Sequence, residues 1–158
     1  MKSLLIYDSQ YGNTEKIAQS IAEVLKEHGD SIIVRVGNFK WEMLSGIDLL
    51  LVGSPTQGFR PTEALRELFK GLSTHPLNGM RVAAFDTRFT QKHIDKTPIL
   101  PVLVKKFGYA AEAIAKALQK GGGQLVVPAE PFFVLETEGP LLDGELERAA
   151  DWARMLST

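Results

Sequence analysis

The sequence predicts an α/β fold in which a parallel sheet is covered by helices on both faces. Apolar runs of strand length alternate along the chain with amphipathic helical patterns. The segment Asp48-Leu49-Leu50-Leu51-Val52-Gly53 is continuously apolar at its centre, as a central strand buried on both faces must be. A chain of 158 residues can bury a sizeable core without a second domain, so one domain over residues 1–158 is expected.

The first strand is Ser3-Leu4-Leu5-Ile6-Tyr7, and it leads through Asp8 to Thr14 into a helix marked by Ile17, Ile21, Val24 and Leu25. His28-Gly29 closes that helix, and Ser31 to Val36 reads as the second strand. A short helical turn is expected over Trp41 to Leu44, followed by the third strand at Asp48 to Gly53. Leu65, Leu68, Phe69 and Leu72 mark the next helix, with Pro61 suited to its first turn. Arg81 to Phe85 is the fourth strand; a long loop with Pro98 and Pro101 then precedes a helix bearing Phe107, Ala111, Ile114 and Leu118. Gly121-Gly122-Gly123 stops it. The last strand begins at Gln124 to Val127, is interrupted by Pro128 and Pro131, and resumes at Phe132 to Leu135. Such prolines belong on an edge strand. Leu146, Ala149, Ala150, Ala153 and Leu156 line the closing helix, with Asp143 as its expected cap.

Composition narrows the function. The 18 Lys+Arg and 19 Asp+Glu nearly cancel, so no field of one sign points to nucleic acid or an anionic membrane as partner. With no cysteine, disulfides, thiolate catalysis and thiolate-bound iron–sulfur or zinc sites are excluded, and redox chemistry would need a borrowed cofactor. His28, His75 and His93 are scattered without ligand or triad spacing. Ser9 lacks a nucleophile-elbow context. No metal site or catalytic residue is therefore assigned. Trp41 and Trp152 read as packing residues, and Glu136, Glu138, Asp143 and Glu145 as a solvated acidic face. Met1-Lys2 leads directly into the first strand and no apolar run approaches the roughly 18 residues of a membrane span. A cytoplasmic protein without membrane insertion is the expectation.

The segment Ser9-Gln10-Tyr11-Gly12-Asn13-Thr14 sits between a strand and a helix start. A helix N-terminus leaves unpaired N–H groups and partial positive charge, so hydroxyls at Ser9 and Thr14 and a turn-permitting Gly12 suit a phosphate. An ordinary turn with Asn13 or Thr14 as cap is the other reading. The loop matches neither the dinucleotide-binding nor the P-loop glycine pattern. In an open parallel sheet, ligands lie beyond the carboxyl ends of the strands, which directs attention to the loops after strands one, three and four.

The run Ser9-x-Tyr11-Gly12-Asn13-Thr14-Glu15 after the first strand resembles the FMN-phosphate loop of the flavodoxin family, usually T-x-T-G-N-T-E. The likeness in element order extends along nearly the whole chain. It implies a flavodoxin-like three-layer sandwich, a five-stranded parallel sheet in order 2-1-3-4-5, and FMN as cofactor, held by Ser9, Gln10, Tyr11, Gly12, Asn13 and Thr14. Ser54, Pro55, Thr56, Gln57, Gly58 and Phe59 match the family's second flavin loop, with Phe59 expected to cover a flavin face. Asp86, Thr87, Arg88 and Phe89 occupy the place of the third. Tyr11 departs from the usual threonine, and the near-zero net charge departs from the strong acidity of electron-carrier flavodoxins. Arg88 is therefore expected to stand near the reduced ring and raise its potential, or else to pair with Asp86 at the surface. The implied function is electron transfer with a redox partner protein or small electron acceptor. NAD(P)H-dependent quinone reduction and a flavin-free binding module are the alternatives. A phosphorelay receiver is excluded because the third strand ends in Gly53-Ser54 rather than a carboxylate.

Overall fold

The computed structural model describes residues 1–90, 94–96 and 99–158. Its strands are β1 (Lys2–Tyr7), β2 (Asp30–Arg35), β3 (Leu49–Pro55), β4 (Arg81–Phe89), β5 (Gln124–Leu125) and β6 (Glu130–Val134). The α-helices are α1 (Asn13–Glu27), α2 (Glu63–Lys70), α3 (Leu100–Phe107), α4 (Ala110–Lys120) and α5 (Glu145–Leu156). All strand pairings between these elements are parallel, in the order β2-β1-β3-β4-β5, with β6 also on β4. The expected strand order is the observed one.

The two-residue period of a strand divides the core. Leu5, Leu49, Leu51, Ala83 and Phe85 face one side with Ile17, Ile21 and Leu25 of α1 and Trp152 and Leu156 of α5. Leu4, Ile6, Leu50, Val52, Val82 and Ala84 face the other with Leu65 of α2 and Ile114 and Leu118 of α4. Each such fully buried aliphatic side chain contributes about 1.5–3 kcal/mol. Trp152 joins Phe85 and Phe132 in edge-to-face contacts at 6.1 Å between centroids. Trp41 stacks on His75 at 4.3 Å. Both tryptophans pack, as expected.

The last strand is split at Pro128 as expected, but Pro131 does not interrupt it: it lies inside β6, in register with Asp86 of β4. β5 pairs with the start of β4, β6 with its end, and Pro128 lies in the gap. Four other local expectations are corrected. Pro61 precedes the α2 cap, Thr62, instead of entering the helix. Gly144, not Asp143, caps α5. The single helix expected to bear Phe107 with Ala111 is two helices, because Gly108 adopts φ 76° between α3 and α4. Pro101 stands in the first turn of α3 instead of in a loop, where its missing N–H costs nothing. Pro98 and His93 lie outside the described residues. No helix among those described is long and apolar enough to cross a membrane.

Candidate functional site

The loops after β1, β3 and β4 meet at the carboxyl edge of the sheet. Gly12 turns the chain into α1 with φ 89°, a left-handed conformation that glycine adopts without strain, and it is the cap in place of Asn13 or Thr14. The buried Ser9 Oγ accepts the Gly12 N–H at 3.1 Å and the Glu15 N–H at 3.4 Å. Its own proton is left to donate outward. The backbone N–H groups of Asn13 and Thr14 have no partner among the described residues. Thr14 Oγ1 lies 2.9 Å from Thr87 Oγ1 in a buried pair; one hydroxyl donates to the other, so one proton of the pair remains for a ligand. Arg35 of β2 braces the loop: it bonds the Ser9 carbonyl and pairs with Asp8 at 3.5 Å. That contribution was not found from the sequence, because it depends on β2 lying beside β1.

The second loop is a tight hairpin turn. Gln57 N–H donates to the Arg60 carbonyl at 2.8 Å and Arg60 N–H to the Gln57 carbonyl at 3.1 Å, with Gly58 at φ 52° and Phe59 at φ 68°. Two consecutive left-handed residues make a type I′ turn. For a phenylalanine this backbone costs on the order of 1–3 kcal/mol, and it carries the Phe59 side chain to the cleft. The fully buried Ser54 ties the loop's ends together by accepting the Thr62 N–H at 3.1 Å. Gln57 Nε2 donates to Gln10 Oε1 at 2.5 Å, and Gln10 Nε2 to Tyr11 Oη at 3.3 Å, which joins the first two loops. Tyr11 remains 46 % exposed.

Asp86 to Phe89 belong to β4, not to a loop after it, because β6 pairs with them from Phe85 to Phe89 and prolongs the ladder. Asp86 is fully buried and accepts from Thr56 Oγ1 (3.1 Å), Ala111 N–H (2.9 Å) and Arg88 Nε and NH2 (both 2.8 Å). Burial pushes the Asp86 carboxyl above its ordinary value, while Arg88 and the Ala111 N–H pull it back. Arg88 does pair with Asp86, but it is not a surface residue: its side chain is 9 % exposed. It also bonds Glu112 at 3.1 Å and lies 3.7 Å over the Tyr109 ring. Burial disfavours the Arg88 charge, yet the two carboxylates hold its pKa above the ordinary value. An uncompensated cation beside a reduced ring is therefore not what this geometry presents. Burial likewise raises the Tyr109 phenol.

These walls enclose a cleft of about 360 Å³, within the usual range of small-molecule sites. Ser9, Gln10, Tyr11, Asn13, Thr14, Pro55, Thr56, Gln57, Gly58, Phe59, Thr87, Arg88 and Phe89 line it. Gly12, Ser54 and Asp86 stand behind the lining and hold it. Ile94, Leu100, Tyr109, Val134 and Thr137 also line it, and none was singled out from the sequence. Tyr109 starts α4, and Thr137 follows β6. No local pattern marks either residue. Glu145, expected on a solvated face with Glu136, Glu138 and Asp143, is instead buried and bonded to the Phe133 N–H at 2.7 Å.

The sequence model of the flavodoxin domain matches residues 4–131. The chain is 34 % identical over 87 residues to a probable flavodoxin 1 of Bacillus subtilis (strain 168), a match covering 53 % of this chain and 54 % of that relative. It thus spans about half the relative's length. The fold is similar to that of a flavodoxin from the domain Archaea, with TM-score 0.77, 19 % identity and 99 % and 96 % of the two chains covered. It is likewise similar to oxidised flavodoxin 1 from Bacillus cereus, with TM-score 0.77, 20 % identity and coverage of 98 % and 96 %.

Proposed function

The chain belongs to the flavodoxin domain family, and from that membership we propose that it binds FMN non-covalently in this cleft and carries electrons between redox partners. The observation that carries the proposal is the set of unspent donors at the start of α1: the Asn13 and Thr14 amides, the Ser9 hydroxyl proton and the proton left by the Thr14–Thr87 pair. Hydroxyl groups and unpaired amides gathered at one helix start suit a phosphate, with the helix dipole adding favourable charge. Beyond that end the cleft is walled by Phe59, Phe89, Leu100 and Tyr109, which suits a flat, largely apolar ring system. The residues present therefore fit FMN. Bound FMN would supply the redox chemistry, and the chain would bind it, orient it and exclude water from it. Ser9, Thr14, Thr87 and the α1 amides would hold the phosphate; Phe59 and Tyr109 would flank the ring; Arg88, tied to Asp86 and Glu112, would hold Tyr109 in place. The partner would be another redox protein or a small electron acceptor.

The test is the visible spectrum of purified protein with and without added FMN, followed by ultrafiltration, with riboflavin as the phosphate-free control. Retained FMN and weaker retention of riboflavin are expected. Failure to retain FMN would favour the flavin-free alternative.

A further inference from the structure

Residues 77–80 form a β-turn just before β4. Met80 N–H donates to the Leu77 carbonyl at 3.0 Å, and both central residues are left-handed, Asn78 at φ 51° and Gly79 at φ 81°. That is the type I′ geometry that Asn-Gly favours. The turn is docked on the glycine triplet that follows α4: Leu77 N–H donates to the Gly121 carbonyl at 2.8 Å, and Gly79 N–H to the Gly122 carbonyl at 2.7 Å. Main chain meets main chain here. A Cβ on Gly122 would lie 3.4 Å from the Asn78 nitrogen, and Gly122 itself is at φ 95°. The contact continues into the β4–β5 pairing, where Gln124 N–H donates to the Met80 carbonyl at 2.8 Å.

An asparagine followed by glycine is chemically labile, because the glycine nitrogen has no neighbouring side chain to hinder it. That nitrogen, once deprotonated, attacks the asparagine Cγ; ammonia leaves and a five-membered imide forms. Water then opens the imide to an aspartyl or isoaspartyl residue, so ammonia is lost, water is gained and no other reactant is needed. Asn78 is exposed, and water reaches it. The other asparagines are less suited, since Asn13 is buried and precedes the β-branched Thr14, and Asn38 precedes Phe39. In the fold, however, the Gly79 N–H is held by Gly122, and closing the ring requires the Asn78 main chain to swing out of the turn. We infer that Asn78 is a latent deamidation site, kept closed by the Gly122 carbonyl and open to reaction only when the turn lifts off the glycine triplet. Local opening, not exposure, then sets the rate. Either product adds a negative charge. The isoaspartyl product also adds a methylene to the main chain, which puts the turn out of step with the triplet at the head of the β4–β5 pairing.

The test incubates the full chain at mildly alkaline pH, folded and in guanidinium chloride. Asn-to-Asp conversion is followed by mass spectrometry of the tryptic peptide 71–81, which holds Asn78 as its one asparagine. The unfolded chain is expected to convert Asn78 at least about tenfold faster than the folded chain, since a rate gated by opening scales with the open fraction. Gly122→Ala, which strains a left-handed position and crowds the Asn78 nitrogen, is expected to speed conversion in the folded chain about threefold to tenfold. Equal folded and unfolded rates, or faster conversion in the folded chain at Asn13 or Asn38 than at Asn78, would overturn the inference. So would a Gly122→Ala chain that folds and converts at the wild-type rate. If that variant does not fold, wild-type conversion across denaturant concentrations below the unfolding transition decides: a rate that rises with denaturant supports gating by opening, and a flat one refutes it.

Discussion

Asp86 and Glu145 are both buried carboxylates that tie a helix start to a strand, and each pairs with a nearby arginine. Asp86 lies on β4 and takes the Ala111 N–H of α4; Glu145 lies at the start of α5 and takes the Phe133 N–H of β6. Each fixes one wall of the cleft, Asp86 the Tyr109 side and Glu145 the side of Val134 and Thr137. They differ in their arginines. The Arg88 side chain is 9 % exposed and that of Arg148 is 36 % exposed. Loss of Asp86 leaves a nearly dry cation with the half-exposed Glu112 and the Tyr109 ring, whereas loss of Glu145 leaves Arg148 with Glu130, the Pro131 carbonyl and water. A buried pair's contribution therefore depends on what the surviving partner can reach.

The largest expected effect follows directly. Asp86→Ala should cost about 3–5 kcal/mol in urea unfolding, the range for breaking a buried ion pair. Glu145→Ala should cost about 2 kcal/mol by the same measurement, mainly from the unpaired Phe133 N–H. A larger loss at Glu145 than at Asp86 would reverse the ranking. The two carboxylates share no partner among the described residues, so the double variant should equal the sum of the single ones within about 0.5 kcal/mol.

A third carboxylate, Glu15, differs from both because its donor titrates. Glu15 accepts from Tyr7 Oη at 2.7 Å, and burial, then Glu15, raises the Tyr7 phenol above its ordinary 10.0. The folded chain thus holds this proton more tightly than the unfolded chain. The stability it contributes is present below pH 10.0 and is lost as pH rises through the raised value. Tyr7→Phe should lower neutral-pH stability by about 1 kcal/mol and abolish that alkaline limb, followed by tyrosinate absorbance and urea unfolding. The smallest effect belongs to Glu112→Gln, at or below about 0.5 kcal/mol, since Glu112 is half exposed and Arg88 keeps Asp86.

What could be read along the chain was local. The faces of β1, β3 and β4, the helical stripe of α1, the stop at Gly121 and the break at Pro128 depend on residue type and short spacing, and the structure repeats them. The loop proposed to hold the phosphate is local in the same way: Ser9 through Thr14 are consecutive between β1 and α1. Asp143 and Pro61 carry sound local propensities, yet neighbouring residues took the positions they suit. Glu145 looked like solvated surface because charge alone does not reveal that a strand N–H will meet it.

Residue pattern along the chain thus specified the class of the fold, the positions of β1, β2 and β3 and the strand-to-helix loop at one end of the cleft, because alternation and helical spacing act over a few residues. Tertiary packing decided that Arg35 stands beside the Ser9–Thr14 loop, that Arg88 is compensated and buried, and that Tyr109 and Thr137 line the cleft. Those facts join residues from different elements, and only the parallel register of β1 with β2 and of β4 with β6 brings such elements side by side.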